Sequence, residues 1–424
     1  MSEAAPAPRT TPPRKAAFAF VFVTVLLDML AIGMIMPVLP KLIESFLAGD
    51  TVRASQVVGL FATVWALMQF CFSPVQGALS DRFGRRPVIL ASNFGLGLDY
   101  VLMALAPNLA WLFVGRVISG ISSASVSTAF AYIADVTAPE QRSARFGLLG
   151  AAFGVGFVIG PAIGGLLGAT DPRLPFWAAA AFSLLNGCYG LLVVPESLAP
   201  DKRAPWSWRR ANPVGALMLL RRHGELYGLA AANFLAQTAH VALPVTFVLY
   251  AGYRYGWDAK AVGLTLALVG VCAVVVQAGL IARFVKKFGE RRTLLIGLSF
   301  GALGFAIYGF APNGLVFCAG IPVMALWGLA APTASGLMSR RVSASEQGQL
   351  QGANSCIQGL ANLVGPGIFA LVFSYAIGTG RDWNLPGAPF LLAALLLAAA
   401  AALAWHVTRP RRGTHQMTEG PNAA

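Results

Sequence analysis

Long apolar runs separated by short polar connections recur along the whole chain. Runs of about 20 residues are long enough to cross a lipid bilayer as α-helices. We predict twelve membrane spans, at residues 18–40, 56–80, 87–106, 109–134, 145–169, 175–194, 225–251, 261–284, 293–311, 314–339, 350–377 and 388–407. The pattern therefore predicts an all-α membrane protein with twelve transmembrane helices and both chain ends on the same side.

The longest polar connection divides the spans into two sets of six. We predict five regions: an N-terminal tail 1–17, a six-helix half 18–194, a central loop 195–224, a second six-helix half 225–407 and a C-terminal tail 408–424. The halves share short motifs, since Gly160-Pro161 recurs as Gly365-Pro366 and the turn 77–87 resembles 282–292. A parallel repeat of six spans is typical of transporters that bind substrate at mid-membrane, between the halves.

Composition agrees with a membrane protein, because 57% of the residues are hydrophobic and only 11% are charged. The net charge of +14 is not spread evenly. Of the 31 Lys and Arg residues, 24 fall in loops on the side of the termini and six in the opposite loops. Loops rich in Lys and Arg stay in the cytoplasm. We therefore predict cytoplasmic termini, and the positive charge needs no nucleic-acid partner.

The five cysteines stand singly inside apolar segments. Without a Cys-x-x-Cys or Cys/His cluster, the sequence supports neither a disulfide framework nor a metal site. The first apolar run is too long for the hydrophobic region of a signal peptide, so we interpret it as an uncleaved span.

One short turn between spans 2 and 3 concentrates charge in an otherwise apolar region. It has the spacing Gly-x-x-x-Asp-Arg-x-Gly-Arg-Arg, formed by Gly77, Asp81, Arg82, Gly84, Arg85 and Arg86. Such charges must lie at the membrane surface. Asp135, at the end of span 4, is expected to pair there with Arg85 or Arg142 and to latch one conformation. In the second half Lys286 replaces Asp81, which predicts that the acidic function is confined to the first half.

Ionisable residues inside spans are costly and are functional candidates by default. The chain has Asp28 in span 1, Asp99 in span 3, Arg116 in span 4 and His240 in span 7. Burial penalises the charged form of a carboxylate, which suits Asp28 to take up and release a proton. Asp99 and Arg116 are expected to face each other on adjacent helices, as a structural ion pair or as a substrate or proton site.

Amide side chains recur at helical spacing in spans 2, 7, 8 and 11. These are Gln69 and Gln76, Asn233 and Gln237, Gln277, and Gln351, Asn354, Gln358 and Asn362. We favour a polar substrate wall formed by Gln69, Asn233, Gln237, Gln277, Asn354 and Gln358, although such side chains also bond helices to each other.

Span 5 carries small residues at every fourth position together with a proline. Gly156, Gly160, Gly164 and Gly165 allow close helix contact, and Pro161 introduces a kink. The segment is therefore a close-packing helix that can also flex during transport.

Several of these motifs together resemble the major facilitator superfamily, and within it the twelve-span tetracycline/proton antiporters. They are the span-1 segment 27–40, the segment Ser80 to Pro87, Leu98-Asp99-Tyr100, Gly115-Arg116, Ile133-Ala134-Asp135, and the glycine pattern Gly156 to Gly165, which is similar to the antiporter motif. The resemblance implies a bacterial inner-membrane exporter of a tetracycline–divalent-metal complex. Inward protons would drive it, and it would need no resident cofactor.

By matching positions, the resemblance makes Asp28 and Asp99 the essential acids and Arg116 their basic companion. It makes Asp81, Arg85 and Asp135 the gating set and Gln277 a substrate contact. Members of that family carry a histidine and an aspartate where this chain has Ala273 and Gly301. We therefore predict that coupling rests on Asp28 and Asp99, with His240 as a substitute.

Other functions remain open at this level. The same fold serves exporters of other amphiphilic drugs or metabolites and proton-coupled symporters. A membrane sensor without transport is less favoured, because buried Asp28 and Asp99 would be costly without a function. An enzyme is least favoured, since the sequence shows no nucleophile–base pair or metal cluster.

Overall fold

A computed structural model gives the fold. It describes residues 14–123, 126–137, 141–204, 223, 226–343 and 346–409, and the side chains of these except 14–20, 126–127, 142–144, 146–147, 202 and 348. The side chain of Arg142, on which its predicted pairing depends, lies outside the described part. Most of the central loop and most of both tails also lie outside it.

The first half consists of eight helices in the described residues. They are α1 (Arg14–Ile35), α2 (Leu39–Phe46), α3 (Thr51–Phe83), α4 (Arg85–Leu105), α5 (Leu109–Ser122), α6 (Val126–Val136), α7 (Arg142–Thr170) and α8 (Leu174–Val193). The second half consists of α9 (Tyr227–His240), α10 (Ala242–Tyr255), α11 (Ala259–Val275), α12 (Ile281–Phe310), α13 (Gly314–Ala325), α14 (Ala330–Ser339), α15 (Gln347–Ile377) and α16 (Ala388–Val407).

These helices form twelve membrane crossings, as the sequence predicts. Ten described helical stretches are long and apolar enough to span a bilayer, and the 52-residue stretch Ala259–Phe310 among them contains two crossings. Gly289 separates these two with non-helical torsions (φ 75°, ψ 164°). The remaining crossing consists of α5 and α6. The protein is thus an all-α, multi-pass membrane protein. We call the face where α1 begins and α16 ends the terminal face, and the other the opposite face.

Two helices that start on the opposite face, α5 and α13, are capped by asparagine side chains. Asn108 Oδ1 accepts hydrogen bonds from the backbone N–H groups of Ala110 and Trp111, and Asn313 Oδ1 accepts one from Val316. Such caps satisfy backbone donors that the helix itself leaves free. Both asparagines follow an Ala-Pro dipeptide at equivalent places in the halves, which adds to the internal repeat.

The two halves meet along α3 with α15 and along α7 with α11. On the α3–α15 seam, Ser55 Oγ donates to Ala370 O at 2.9 Å, and Gln56 Nε2 donates to Ser374 Oγ at 2.8 Å. On the α7–α11 seam, a Cβ added to Gly165 would lie 2.9 Å from Gly263 Cα. All these contacts lie toward the opposite face, so the halves are closed together there.

The predicted glycine pattern of α7 makes close contacts. A Cβ added to Gly160 would lie 2.8 Å from Gly33 Cα in α1, and Gly156 and Gly164 pack as tightly against Met29 and Met34. Pro161 lies within the helix. Backbones in a membrane approach this closely only through small residues, and α7 is thereby held between α1 and α11.

Candidate functional site

A cavity of about 1,300 Å³ lies between the halves. Its wall is mainly apolar and aromatic, with Phe61, Trp65, Phe153, Phe157 and Trp327 among the rings. Gly150 in α7, the Gln277 segment and Gln358 are exposed on its terminal-face side. The cavity therefore opens toward the terminal face while the opposite face is closed.

The predicted amide stripes meet in this cavity. Asn233, Gln237, Gln277 and Gln358 all line it, and Asn362 does as well. Two members of the predicted wall do not line it. Asn354 is not a lining residue, and its Oδ1 accepts a 3.4 Å hydrogen bond from the lining residue Asn233; Gln69 is also absent from the wall. Helical spacing alone did not show which members of a stripe reach the cavity.

Gln277 owes its position to a local change of helix type. Residues Val276–Leu280 form one turn of π-helix between α11 and α12. A π-turn inserts an extra residue, shifts the side chains that follow and often marks a functional site. Gln277 and Ala278 are exposed to the cavity in this turn. The sequence predicted Gln277 as a contact but gave no signal for the π-turn.

Arg116 is the one wall residue in the described chain that carries a fixed charge. Its Nη2 donates to Ser119 Oγ at 2.8 Å, and its guanidinium lies 5.9 Å from the centre of the Trp65 ring. Its Nε is buried without a hydrogen-bond partner. The cavity therefore presents one cation beside an aromatic face.

Asp28 and Asp99 lie behind the cavity wall, inside the first half. They are 6% and 1% exposed. Asp99 packs against Gly115, the neighbour of Arg116, and its charge and that of Arg116 interact electrostatically. No ion pair within 4.0 Å joins these two described residues, so the structure does not show the ion pair that was one of the two alternatives for them. Arg116 bonds to Ser119 instead, and both carboxylate oxygens of Asp99 lack hydrogen-bond partners.

His240 ends α9 and lies in the cavity wall, deep in the protein but exposed to the cavity. Its ring centre lies 5.4 Å from that of Trp327. The same tryptophan packs closely against Gly301, because a Cβ added there would lie 2.8 Å from Trp327 Cγ. A side chain at position 301 would require Trp327 and Leu397 to shift, whereas Ala273 lines the cavity.

At the terminal face, the predicted ion pair between Asp135 and Arg85 is present. Arg85 Nε lies 3.2 Å from Asp135 Oδ2, and Arg85 also pairs with Asp81 through Nη1. The Arg85 side chain is only 11% exposed. One arginine therefore ties the end of α3 to the end of α6.

Glu196 completes this cluster and was missed by the sequence analysis. Its carboxylate accepts hydrogen bonds from the backbone N–H groups of Arg85 (2.8 Å) and Arg86 (3.2 Å). It thus caps the N-terminus of α4, where a negative charge is favoured. Gly84, with φ 109° and ψ 160°, has the Glu196 carboxylate where a side chain would be. The only sequence signal was an acid two residues after span 6.

The second half has an acid–base pair at the equivalent place. Arg340 Nη2 lies 2.9 Å from Glu290 Oε1. Lys286 stands three residues before Gly289, as the sequence indicates, but the second half does have an acid in this region, one residue after Gly289. Nearby, hydrogen bonds from Ser343 and His223 lower the pKa of Glu346 to about 2.

A closed opposite face, a central cavity and charged clusters at the terminal face define a membrane transporter for small molecules. The chain belongs to the Major Facilitator Superfamily, whose family model matches residues 21–366 and 280–422. It is 37% identical over 371 residues to tetracycline resistance protein class C of Escherichia coli, covering 87% of this chain and 93% of that protein. It is 33% identical to the class B protein of Escherichia coli, covering 93% of this chain and 97% of that protein.

Solved structures share the fold. The human organic anion transporter MFSD10 aligns with a TM-score of 0.68 at 25% identity, over 93% of this chain and all of that chain. The nucleoside transporter NupG aligns with a TM-score of 0.75 at 12% identity, over 93% of this chain and all of that chain.

Proposed function

We propose that this protein exports tetracycline, as its divalent-metal complex, in exchange for protons. The likeness to tetracycline resistance proteins over most of the chain carries the proposal. The cavity supports it, because a flat polycyclic drug with many oxygens is matched by aromatic rings and amide groups. The metal ion travels as part of the substrate, and no resident cofactor is required.

The terminal face is proposed to be cytoplasmic, in the inner membrane of a bacterium. The basic residues of the loops favour this orientation. The structure would then be the inward-open state, in which the drug enters from the cytoplasm. Closure of the terminal face and opening of the contacts around Ser55 and Gly165 would release the drug outside.

Asp28 and Asp99 are proposed to carry the coupling protons. A charged carboxylate in the membrane interior costs several kcal/mol without a partner. Oxygens of both residues are buried and unpartnered. Uptake or loss of a proton would therefore change the stability of the conformation in which these carboxyl groups are buried. A proton taken up from outside and released inside would then drive the conformational cycle that exports the drug.

The test is tetracycline susceptibility of sensitive cells that express this chain or its Asp28→Asn variant at equal levels. Resistance with the parent chain and its loss in Asp28→Asn would support drug efflux by proton coupling. Well-expressed parent protein without resistance would remove tetracycline as the substrate.

A second candidate substrate class is an aromatic organic anion. Arg116 supplies the one fixed charge of the described cavity wall, and the human relative in fold is an organic anion transporter. Binding of the dye fluorescein by the purified protein, lost in Arg116→Gln, would favour this class. Tetracycline binding without fluorescein binding would exclude it.

A further inference from the structure

A group of polar side chains lies in the interior of the first half, away from the cavity. Neither atom of the Asn93 amide has a hydrogen-bond partner, although the residue is fully buried. Ser183 Oγ, Asn186 Nδ2 and Asp28 Oδ1 are likewise buried and unpartnered. Buried polar atoms are ordinarily bonded to protein or to ordered water, so these four groups need a common explanation.

One hydrogen bond shows which residues of α1 and α8 face each other. Thr24 Oγ1 donates to Asn186 Oδ1 at 3.1 Å. The two helices run in opposite directions, Asp28 lies one turn after Thr24, and Ser183 lies one turn before Asn186. Residues one turn apart share a helix face. Asp28 and Ser183 therefore lie at the same level, facing the same seam as the Thr24–Asn186 pair.

Asn93 joins this seam from α4. A Cβ on Gly97 would meet the Leu184 side chain, and one on Gly187 would meet the Phe94 ring. Asn93 lies one turn before Gly97 on the same face, so it packs toward α8 at about the level of Asn186. The polar groups thus extend from Asp28 toward the terminal face.

The seam is separate from the cavity. None of Thr24, Asn93, Ser183 or Asn186 belongs to the cavity wall. On the far side of Asp28, the ionisable groups are Asp99, Tyr100 and Arg116, whose charges interact with one another. Toward the terminal face, buried Val21, Ile89, Tyr132 and Val194 close the seam. Below them lies Arg86, whose Nε is also buried and unpartnered.

We propose that Thr24, Asn93, Ser183 and Asn186 bind water and form the inner part of the route by which the Asp28 proton leaves toward the terminal face, up to the buried residues that close the seam. The route bypasses the drug cavity. The Asp28 O–H bond breaks as its proton moves to a bound water, which passes one of its own protons onward. The inference rests on the proposed proton coupling, and it assigns positioning roles to residues of α4 and α8.

The separation of route and cavity gives a specific experiment in proteoliposomes. Asn186→Leu and Ser183→Ala should slow tetracycline transport driven by a pH gradient by about tenfold, because an aligned proton relay is lost. Tetracycline–tetracycline exchange at equal pH needs no net proton movement and should stay within about twofold of the parent. Thr246→Val, which removes a buried hydroxyl of α10 that bonds to Ala242 O, is the matched control and should change neither rate.

The proposed route would be overturned if both variants transported tetracycline along a pH gradient at a rate within twofold of the parent. Equal loss of driven transport and exchange would also overturn it, since the residues would then serve the general cycle.

A second measurement does not depend on the drug. Infrared spectra at pH 5 would follow hydrogen–deuterium exchange of the protonated Asp28 carboxyl, identified by its absence in Asp28→Asn. The route predicts that exchange is slower in Asn186→Leu than in the parent protein. It also predicts that tetracycline bound in the cavity leaves exchange in the parent protein unchanged. Exchange that tetracycline blocks, or that Asn186→Leu leaves unaltered, contradicts it. A parent protein that fails to move tetracycline counts against the proposed function alone, and the infrared result still decides on the route.

Discussion

Arg340 pairs with Glu290 at the place where the first half pairs Asp135 with Arg85, so the two halves carry the same ion pair with its charges exchanged. In each half, one partner directly follows a glycine with positive φ, Gly84 or Gly289. The other ends the helix that enters the next loop. The charge signs differ while the contact is the same in both halves, so we expect the contact itself to matter at the terminal face.

Exchanging the charges tests this directly. Glu290→Arg alone places two arginines together and should lower the transport rate by about fivefold. This is the effect expected from losing a partly exposed ion pair and adding a repulsion. Glu290→Arg combined with Arg340→Glu should restore at least half of the parent rate. Initial rates of drug transport in proteoliposomes measure both. A double variant no better than the single one would show that the contact is not what matters.

Gly84 should tolerate no side chain. Its torsions are accessible almost only to glycine, at a cost of about 1–3 kcal/mol for other residues, and Glu196 fills the space beside it. Gly84→Ala should therefore lower the thermal stability in detergent and the transport rate. Gly77→Ala is the matched control, because nothing lies within 4 Å of its added Cβ. Equal effects at both positions would contradict the explanation.

Gly160 should also be sensitive to substitution by alanine, for a different reason. A methyl group there would push against the Gly33 backbone, and overpacking typically costs about 1–3 kcal/mol. Gly160→Ala should lower the unfolding temperature. Gly150→Ala, in the same helix with open space around its Cβ, should leave it unchanged or raise it. A Gly160→Ala protein as stable as the parent would show that α1 and α7 separate freely.

Gln277 should contribute to drug affinity. Loss of one polar contact with the ligand costs about 1–3 kcal/mol, so Gln277→Leu should weaken tetracycline binding by roughly tenfold. Gln69→Leu removes the same amide outside the cavity wall and should bind normally. Equilibrium binding to the purified proteins separates the two. Weaker binding in Gln69→Leu alone would place the drug elsewhere.

The sequence predicted the twelve crossings because each needs a long apolar run, and it predicted the Arg85–Asp135 pair because both are charged residues at the same surface. It missed Glu196, whose role depends on a contact between distant loops. The π-turn at Gln277 and the gap between Asp99 and Arg116 depend on helix rotation, which apolar spacing does not fix. Helix rotation also explains why the sequence pattern placed Gln69 and Asn354 in the cavity wall, although neither residue lines the cavity in the structure.

Proton-driven accumulation of tetracycline in everted membrane vesicles tests the central claim most directly. With an acidic vesicle interior, the parent protein should accumulate tetracycline, and accumulation should stop when the pH gradient is collapsed. Asp28→Asn should still bind tetracycline but fail to accumulate it. Accumulation by Asp28→Asn at the parent level, or by the parent without a pH gradient, would contradict proton coupling through this buried acid.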